Sequence, residues 1–357
     1  MSAVASVEIR RLDLPLHQPY RLSYRTFHTF EPFVVRVTDA DGRATFADGH
    51  VSPGSSEETR EGGWAHLNRW AEQAIGRDAP EARAAIEAEF AQSKVAATAI
   101  CTALELLESD APVAVSSEVR LPLLAPVNAT EPADIEREIA AGVAAGFPTF
   151  KVKVGKDVDA DLARLSAIQS AAKGRATLRL DANRAFSRDD AIRFARGLHP
   201  EGLELFEQPC AAEDWEANAA VAAASPVPLM LDEPICTLAD IERAGAIEGV
   251  GFCKLKLKRF GGLARLREGL LAVRAHGMEP VLGDGLGSEI QSWLEACAAA
   301  DTIRNAGEFN GFRKTKDHLL TPHLPFDRGA IILPAGYAPQ LDMAALDDST
   351  KEIVTHA

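Results

Sequence analysis

Lysines and carboxylates recur along this chain at intervals of about one strand–helix unit. Lys153, Asp181, Glu207, Asp232, Lys256, Asp284 and Glu308 are separated by 28, 26, 25, 24, 28 and 24 residues. Each lies at or near the end of a short apolar run, such as FKVKVG, LRLDAN, LFEQP, LMLDEP or VLGDG. Even stepping lifts side chains to a similar height around a ring, so charges scattered in sequence become a cluster in space. Asp181, Glu207 and Asp232 come from three consecutive strands. Such a carboxylate set suits a hard octahedral cation such as Mg²⁺, with Mn²⁺ as a substitute, and leaves positions for substrate oxygens. Without a cation, three buried carboxylates would repel one another and be costly to keep charged. Any one of them alone could equally be a solvated strand end or a helix cap; the set points to a metal.

The lysines come in pairs. Lys151 and Lys153, like Lys254 and Lys256, are two residues apart, so each pair shares a strand face. A neighbouring cation lowers the pKa of a lysine, so Lys151 can tune Lys153 and Lys254 can tune Lys256 toward base chemistry near neutral pH. A lone Lys-x-Lys pair would more simply be a solvated strand edge. Beside a metal, two such lysines suit removal of a proton next to a carboxylate. That proton is very weakly acidic, and taking it builds a dianion whose charge a cation offsets as it forms.

The elements that must position these residues are legible as well. After the Pro-marked stretch 121–126, eight apolar runs alternate with helical segments: LLAPVNA, TFKVKVG, ATLRLDAN, LELFEQP, VPLMLDE, GFCKLKL, EPVLGDG and IRNAGEF. Val158, Leu162, Leu165 and Ile168 share one helix face; so do Leu263, Leu266, Leu270 and Val273, with Gly277 as the C-cap. Eight alternating units predict a parallel (β/α)₈ barrel, whose active sites sit at the C-terminal strand ends. An open doubly wound sheet is the rival, but no glycine-rich phosphate loop opens the first unit. Ahead of the barrel, VEIRRLDLPL and PFVVRVTDADG read as strands with a hairpin signal at Asp41-Gly42, and residues 59–110 read as helices. The chain therefore divides into an α+β capping domain over 1–124, completed by 326–357, and a barrel over 125–325.

With order, spacing and local wording together, these motifs resemble the enolase superfamily, in its mandelate racemase/muconate-lactonizing-enzyme family and the muconate-lactonizing-enzyme subgroup. FKVKVG, LRLDANRAF, LFEQP, LMLDEP and KLKLKRFGGL match in register over about residues 125–310. The resemblance implies that Asp181, Glu207 and Asp232 bind Mg²⁺ and that Lys153 and Lys256 face the substrate from opposite sides. Lys256 is selected over Lys254 and Lys258 because it lies five positions before Gly261-Gly262, as the catalytic lysine of the family does. Asn183, Gln208 and Lys254 are expected to support these groups. There are departures. Gly287 stands where the family often carries a seventh-strand glutamate, and Asp284 is expected to take part of its role. Dipeptide epimerases of the subgroup carry Asp-x-Asp on the eighth strand; here the text is Glu308-Phe309-Asn310, with Glu308 as the remaining partner for a substrate ammonium. The segment 278–307 holds no histidine, which disfavours the mandelate racemase branch.

Substrate contacts are expected from Arg25 and Tyr24 in the loop 19–30, and from Asn128, Asp284, Glu308 and Asn310. Tyr20, Phe27 and His28 could wall a pocket there or simply pack between domains, and His50 is read as more ordinarily a packing residue. Most of the totals exclude rather than identify. A formal net charge of -14 opposes nucleic acid or an anionic membrane as partner. The N-terminal residues contain no apolar stretch of signal-peptide length, and no segment reaches a membrane span. Five dispersed cysteines fit reduced thiols in a cytoplasm. The expected function is a Mg²⁺-dependent racemase or epimerase of an amino-acid-like or N-substituted carboxylate, working through an enolate. A cycloisomerase or a lyase, such as a dehydratase, is the alternative, and a non-catalytic barrel protein is the reading of another class. A homo-oligomer is implied by the resemblance.

Overall fold

The barrel strands are short because each only has to cross the barrel wall. In the computed structural model, which describes residues 2–21, 25–54, 58–109 and 113–357, seven of them form one parallel sheet in sequence order. They are Leu124–Val127, Thr149–Lys153, Thr177–Asp181, Leu203–Glu207, Leu229–Leu231, Val250–Leu255 and Glu279–Leu282, here called the first to seventh barrel strands. The eighth run does not form a regular strand. It closes the ring instead through single backbone bonds on both sides: Glu308 N–H to Leu282 O at 2.9 Å, Gly307 N–H to Pro122 O at 2.8 Å and Leu124 N–H to Gly307 O at 3.1 Å. The backbone is crowded there. Gly283 has φ +123°, and a Cβ on it would stand 2.3 Å from the Phe309 nitrogen, so only glycine lets the two segments approach.

Helices follow the strands where the loops end in capping residues. Asp157, Ser187 and Asp214 each accept an N–H bond from the residue three further on. Thr237 and Asp240 form a reciprocal capping box at Leu238–Gly245. The expected apolar faces are turned inward: Val158, Leu165 and Ile168 are buried, Leu162 half-buried, and Leu263, Leu266, Leu270 and Val273 all buried. Gly277 follows the latter helix with φ +78°.

Inside the barrel the period of two sorts side chains into layers. Leu205, Met230 and Val281 form a buried apolar cluster with Phe252 packed on it. Arg179, fully buried, ties that level to Glu204 at 2.9 Å and to Ala306 O at 2.8 Å. Two residues further along their strands come Asp181, Glu207, Asp232 and Lys254. The charged ring therefore rests on an apolar floor.

The capping sheet is antiparallel, in the order Thr350–His356, Val4–Leu12, Phe33–Asp39, Ala44–Gly49. Alternation fixes its register: Ile9 pairs with Val35 on one side and Val354 on the other. The hairpin turn at Asp41-Gly42 is present, with Gly42 at φ +84°. Helices Arg60–Ala74, Ala79–Glu87 and Lys94–Glu108 follow the sheet. A Cβ on Gly49 would come within 2.8 Å of Val95 O, which shows how tightly the last helix lies on the sheet. The C-terminal segment splits its pairing: Ala330–Leu333 pairs with Val119–Pro122, and only Thr350–His356 joins the N-terminal sheet.

Candidate active site

The parallel register brings the charged residues to one level. Lys153 is the partner of Asp181, and Asp181 the partner of Glu207. Asp181, Glu207 and Asp232 are all buried at the C-terminal ends of the third to fifth strands. Above them opens a cavity of about 80 Å³ whose lining includes Lys153, Lys256, Asp232, Asp284, Glu308 and Tyr20.

The two lysines expected to face the substrate stand on different acids. Lys153 Nζ lies 2.5 Å from Asp181 Oδ2 and also donates to Asn183 Oδ1. Lys256 Nζ lies 3.0 Å from Asp232 Oδ2. Burial, together with Arg259 and Lys254, pulls the Lys256 ammonium below the usual lysine range, with Asp232 opposing. Burial opposes ionisation of Asp232, yet Lys256 and Arg259 hold its carboxyl well below the usual range. Burial pushes Glu207 up to about 7, and the nearby Asp181 adds to it.

The inner lysines also neutralise the acids, besides the pull of Lys254 on Lys256. Lys151 Nζ lies 2.8 Å from Asp181, 2.6 Å from Glu207 and 2.9 Å from Glu308. Lys254 Nζ lies 3.0 Å from Glu207 and 2.5 Å from Glu308. Burial would lower both ammonium groups, but these carboxylates overcome it and raise them. Lys151 is thus a buried counter-charge, not a group poised to accept a proton. Glu308 lines the cavity but is already held by both lysines, which a substrate ammonium would have to share.

Backbone strain marks the loops around the acids. Asn183, Arg184 and Gln208 have φ of 45°, 67° and 38°, a left-handed region that non-glycine residues rarely adopt. The strain has a use. The Asn183 N–H donates to Asp181 Oδ1 at 2.8 Å, and buried Gln208 accepts from the Asp232 N–H at 2.9 Å while donating to Cys210 O at 3.0 Å. Both residues therefore orient the acids.

The remaining expected contacts separate. Asp284 reaches the cavity, paired with buried Lys258; burial opposes its ionisation, but Lys258 and Lys256 hold it below the usual range. Asn310 Oδ1 accepts from Lys314 Nζ at 2.6 Å, beside the cavity wall. Asn128 is exposed, with its backbone N–H on Glu138 at 2.9 Å, and does not join the site. Arg25 is exposed with its guanidinium 5.2 Å from the Phe27 ring centre, and is not among the cavity-lining residues. Tyr24 lies outside the described residues. Tyr20 lines the cavity, whereas Phe27 and Phe30 pack edge-on against buried His50. Sequence reasoning set Lys258 aside and missed Arg259, Arg184, Glu233 and Lys314. Arg259 donates to Asp232 Oδ1 at 2.9 Å and to its carbonyl. The DEP and KLKLKR wording held the signal, since a charge just past a strand end still reaches the mouth.

Three all-oxygen donors, buried and drawn into one place from adjacent strands, fit a hard divalent cation. Burial pushes the Glu207 carboxyl up, with Asp181 adding to it, and a divalent cation among the three acids would favour its ionised form.

A buried acid ring over an apolar floor, flanked by two lysines, stands at the mouth of a capped barrel, the face at which barrel enzymes carry their active sites. The family model described as enolase C-terminal domain-like matches residues 134–339. The chain belongs to the enolase superfamily, in its mandelate racemase/muconate lactonizing enzyme family, and is an isomerase of that family. It is 30% identical over 322 residues, 84% of each chain, to a hydrophobic dipeptide epimerase of Citrifermentans bemidjiense. It is 28% identical to muconate cycloisomerase 1 of Rhodococcus opacus, covering 98% of this chain and 99% of that one. A dipeptide epimerase from Cytophaga hutchinsonii, solved with Mg and D-Ala-L-Val, superposes with a TM-score of 0.88 at 21% identity over the whole of both chains.

Proposed function

We propose that this chain racemises or epimerises an amino-acid-like carboxylate by passing the α-proton between two lysines. The observation that carries the reading is the pair of ammonium groups, Lys153 on the Asp181 side and Lys256 on the Asp232 side, lining one cavity. Asp181, Glu207 and Asp232 would hold Mg²⁺, or Mn²⁺ in its place, and a cation there supplies charge to offset the enolate dianion as it develops. One lysine, in its neutral form, takes the α-proton; the other, as ammonium, returns a proton to the opposite face. Lys256, pulled down by burial, is suited to give up its own proton first. Lys151 and Lys254 keep the acid ring neutralised, and Arg259 fixes Asp232.

The epimerase relatives favour an N-substituted amino acid or dipeptide. A substrate amino group would meet Asp284, paired with one lysine, more readily than Glu308, which is engaged by two, although both carboxylates line the cavity. Five free cysteines suit a reducing cytoplasm. A homo-oligomer is the expected assembly, to be read by light scattering. Among the described residues no helix is long and apolar enough to cross a membrane.

The test is incubation with Mg²⁺ in D₂O against dipeptides, N-substituted amino acids, hydroxyprolines and muconate-like diacids, followed by proton NMR. Deuterium at the α-carbon of an otherwise unchanged acid is the expected result. A new product with no exchange would move the assignment to elimination or cycloisomerisation, which the same lysines can serve.

A further inference from the structure

One cluster of side chains has no part in the chemistry above. Glu289 opens the helix Glu289–Ala299 and is 1% exposed. Its carboxylate accepts the backbone N–H groups of Leu319 at 2.9 Å, Leu320 at 3.0 Å and Leu324 at 2.7 Å. Both ends of the turn over residues 318–324 are thereby hooked to one carboxylate. That turn carries two histidines. His318 Nδ1 lies 3.2 Å from Glu289 Oε1, and the rings of His318 and exposed His323 face each other with centres 4.8 Å apart. One ligand atom from each of Glu289, His318 and His323 lies within 4.8 Å of the other two.

We infer that Glu289, His318 and His323 form a second metal site, for a divalent transition ion of which Zn²⁺ is the first choice. Two imidazoles and a carboxylate are donors that Zn²⁺, Co²⁺ and Ni²⁺ accept readily, whereas Mg²⁺ takes oxygen ligands. Tetrahedral zinc with bonds of about 2.0–2.2 Å needs ligand atoms about 3.3–3.5 Å apart. The Glu289–His318 pair already has nearly that spacing, held by the hooked turn. Only His323 has to close in, and its exposed ring can do so by side-chain rotation. The same exposure provides an entry path and a fourth position for water. A bound ion would tie the 318–324 turn to the start of a helix that begins five residues after Asp284.

The probe is Zn²⁺ itself. The full chain is stripped with chelator, reloaded with excess Mg²⁺ and titrated with Zn²⁺ by calorimetry; Co²⁺ absorption reports coordination number. Wild type should take up one Zn²⁺ beyond its Mg²⁺ and give an intense, low-coordinate Co²⁺ spectrum. His323→Ala, a surface change that should fold normally, and His318→Ala should each weaken that uptake by at least about 100-fold. Turnover with Mg²⁺ should be unchanged in His323→Ala. Equal zinc uptake by wild type and both variants, as zinc bound at the barrel mouth would give, overturns the site. So does a weak six-coordinate Co²⁺ spectrum in wild type.

Discussion

Replacing Lys151 by methionine tests whether the buried charge ring is held by its inner lysines. Methionine keeps an unbranched side chain of similar length, so the change is mostly electrical. In the native chain, Lys151 Nζ sits within 2.6–2.9 Å of Glu207, Asp181 and Glu308. In its absence Asp181 keeps Lys153, and Glu207 and Glu308 share Lys254. Three carboxylates are then left with two ammonium groups. Breaking a buried ion pair costs about 3–5 kcal/mol. For a chain of 357 residues, an unfolding entropy of about 2.1 cal/mol/K per residue turns that into a fall in Tm of about 4–7 °C. The assay is scanning calorimetry in chelator at pH 7.5, with Lys351→Met as the control, since that lysine is exposed and, among the described residues, its ion pair is with Asp13 at 3.3 Å. Adding Glu308→Gln to Lys151→Met should recover part of the loss, because one uncompensated charge goes with it. A Tm change under about 1 °C, no larger than the control, would refute the counter-charge argument.

Three further outcomes are expected. Lys153→Ala and Lys256→Ala should each lower turnover by about 10²–10⁴-fold, and each should retain α-proton exchange on only one of two stereoisomers; exchange lost equally on both would remove the two-face assignment. Asp284→Asn should raise KM for an amino-bearing substrate by at least about tenfold with a smaller change in kcat, and steady-state kinetics with and without the amino group would separate the two effects. Glu295 is buried beside the Leu257 N–H, and burial, with Asp284 adding to it, pushes its carboxyl up to about 8. An acid raised in the fold binds more protons there than in the unfolded chain, so its contribution to stability is lost as pH rises from the ordinary carboxylate range toward 8. Urea midpoints at pH 5 and pH 8.5 should therefore fall with pH in wild type and fall less in Glu295→Gln.

The residues that sequence exposed best were those whose position is set by period and spacing. A five-residue strand has one inward end, so Lys153, Asp181 and Glu207 could be placed on it from alternation alone. Asp232 follows from the same stepping although its strand is only Leu229–Leu231. The fold class was legible for the same reason. The eighth run was harder. IRNAGEF has the composition of a strand, but the close packing of Gly307 and Phe309 breaks its regular pairing, and closure comes through isolated backbone bonds. What each charge does was less legible than where it lies. Spacing shows only neighbours on the same strand, so it gave the pull of Lys254 on Lys256 but not the partners Glu207 and Glu308, which both inner lysines take from other strands. Lys258 and Arg259 leave the alternation because the backbone turns into a one-turn helix at Leu257–Phe260. Asn128 fails for a different reason: a position just past a strand end can point outward as easily as inward.

The apolar layer of Leu205, Met230, Phe252 and Val281 makes the barrel a blind well. Nothing dissolved in water can pass along its axis, so substrate, product and the hydrogen isotope carried by the lysines all share one mouth. While a ligand fills that mouth, a proton lifted onto a lysine has little chance to wash out, and some of it should be handed back to the molecule it came from. Label from the solvent, delivered by the opposite lysine, would then appear in the inverted product faster than in the recovered substrate. The same geometry gives an inhibitor a single direction in which to grow: upward, past Tyr20, into the domain that caps the well.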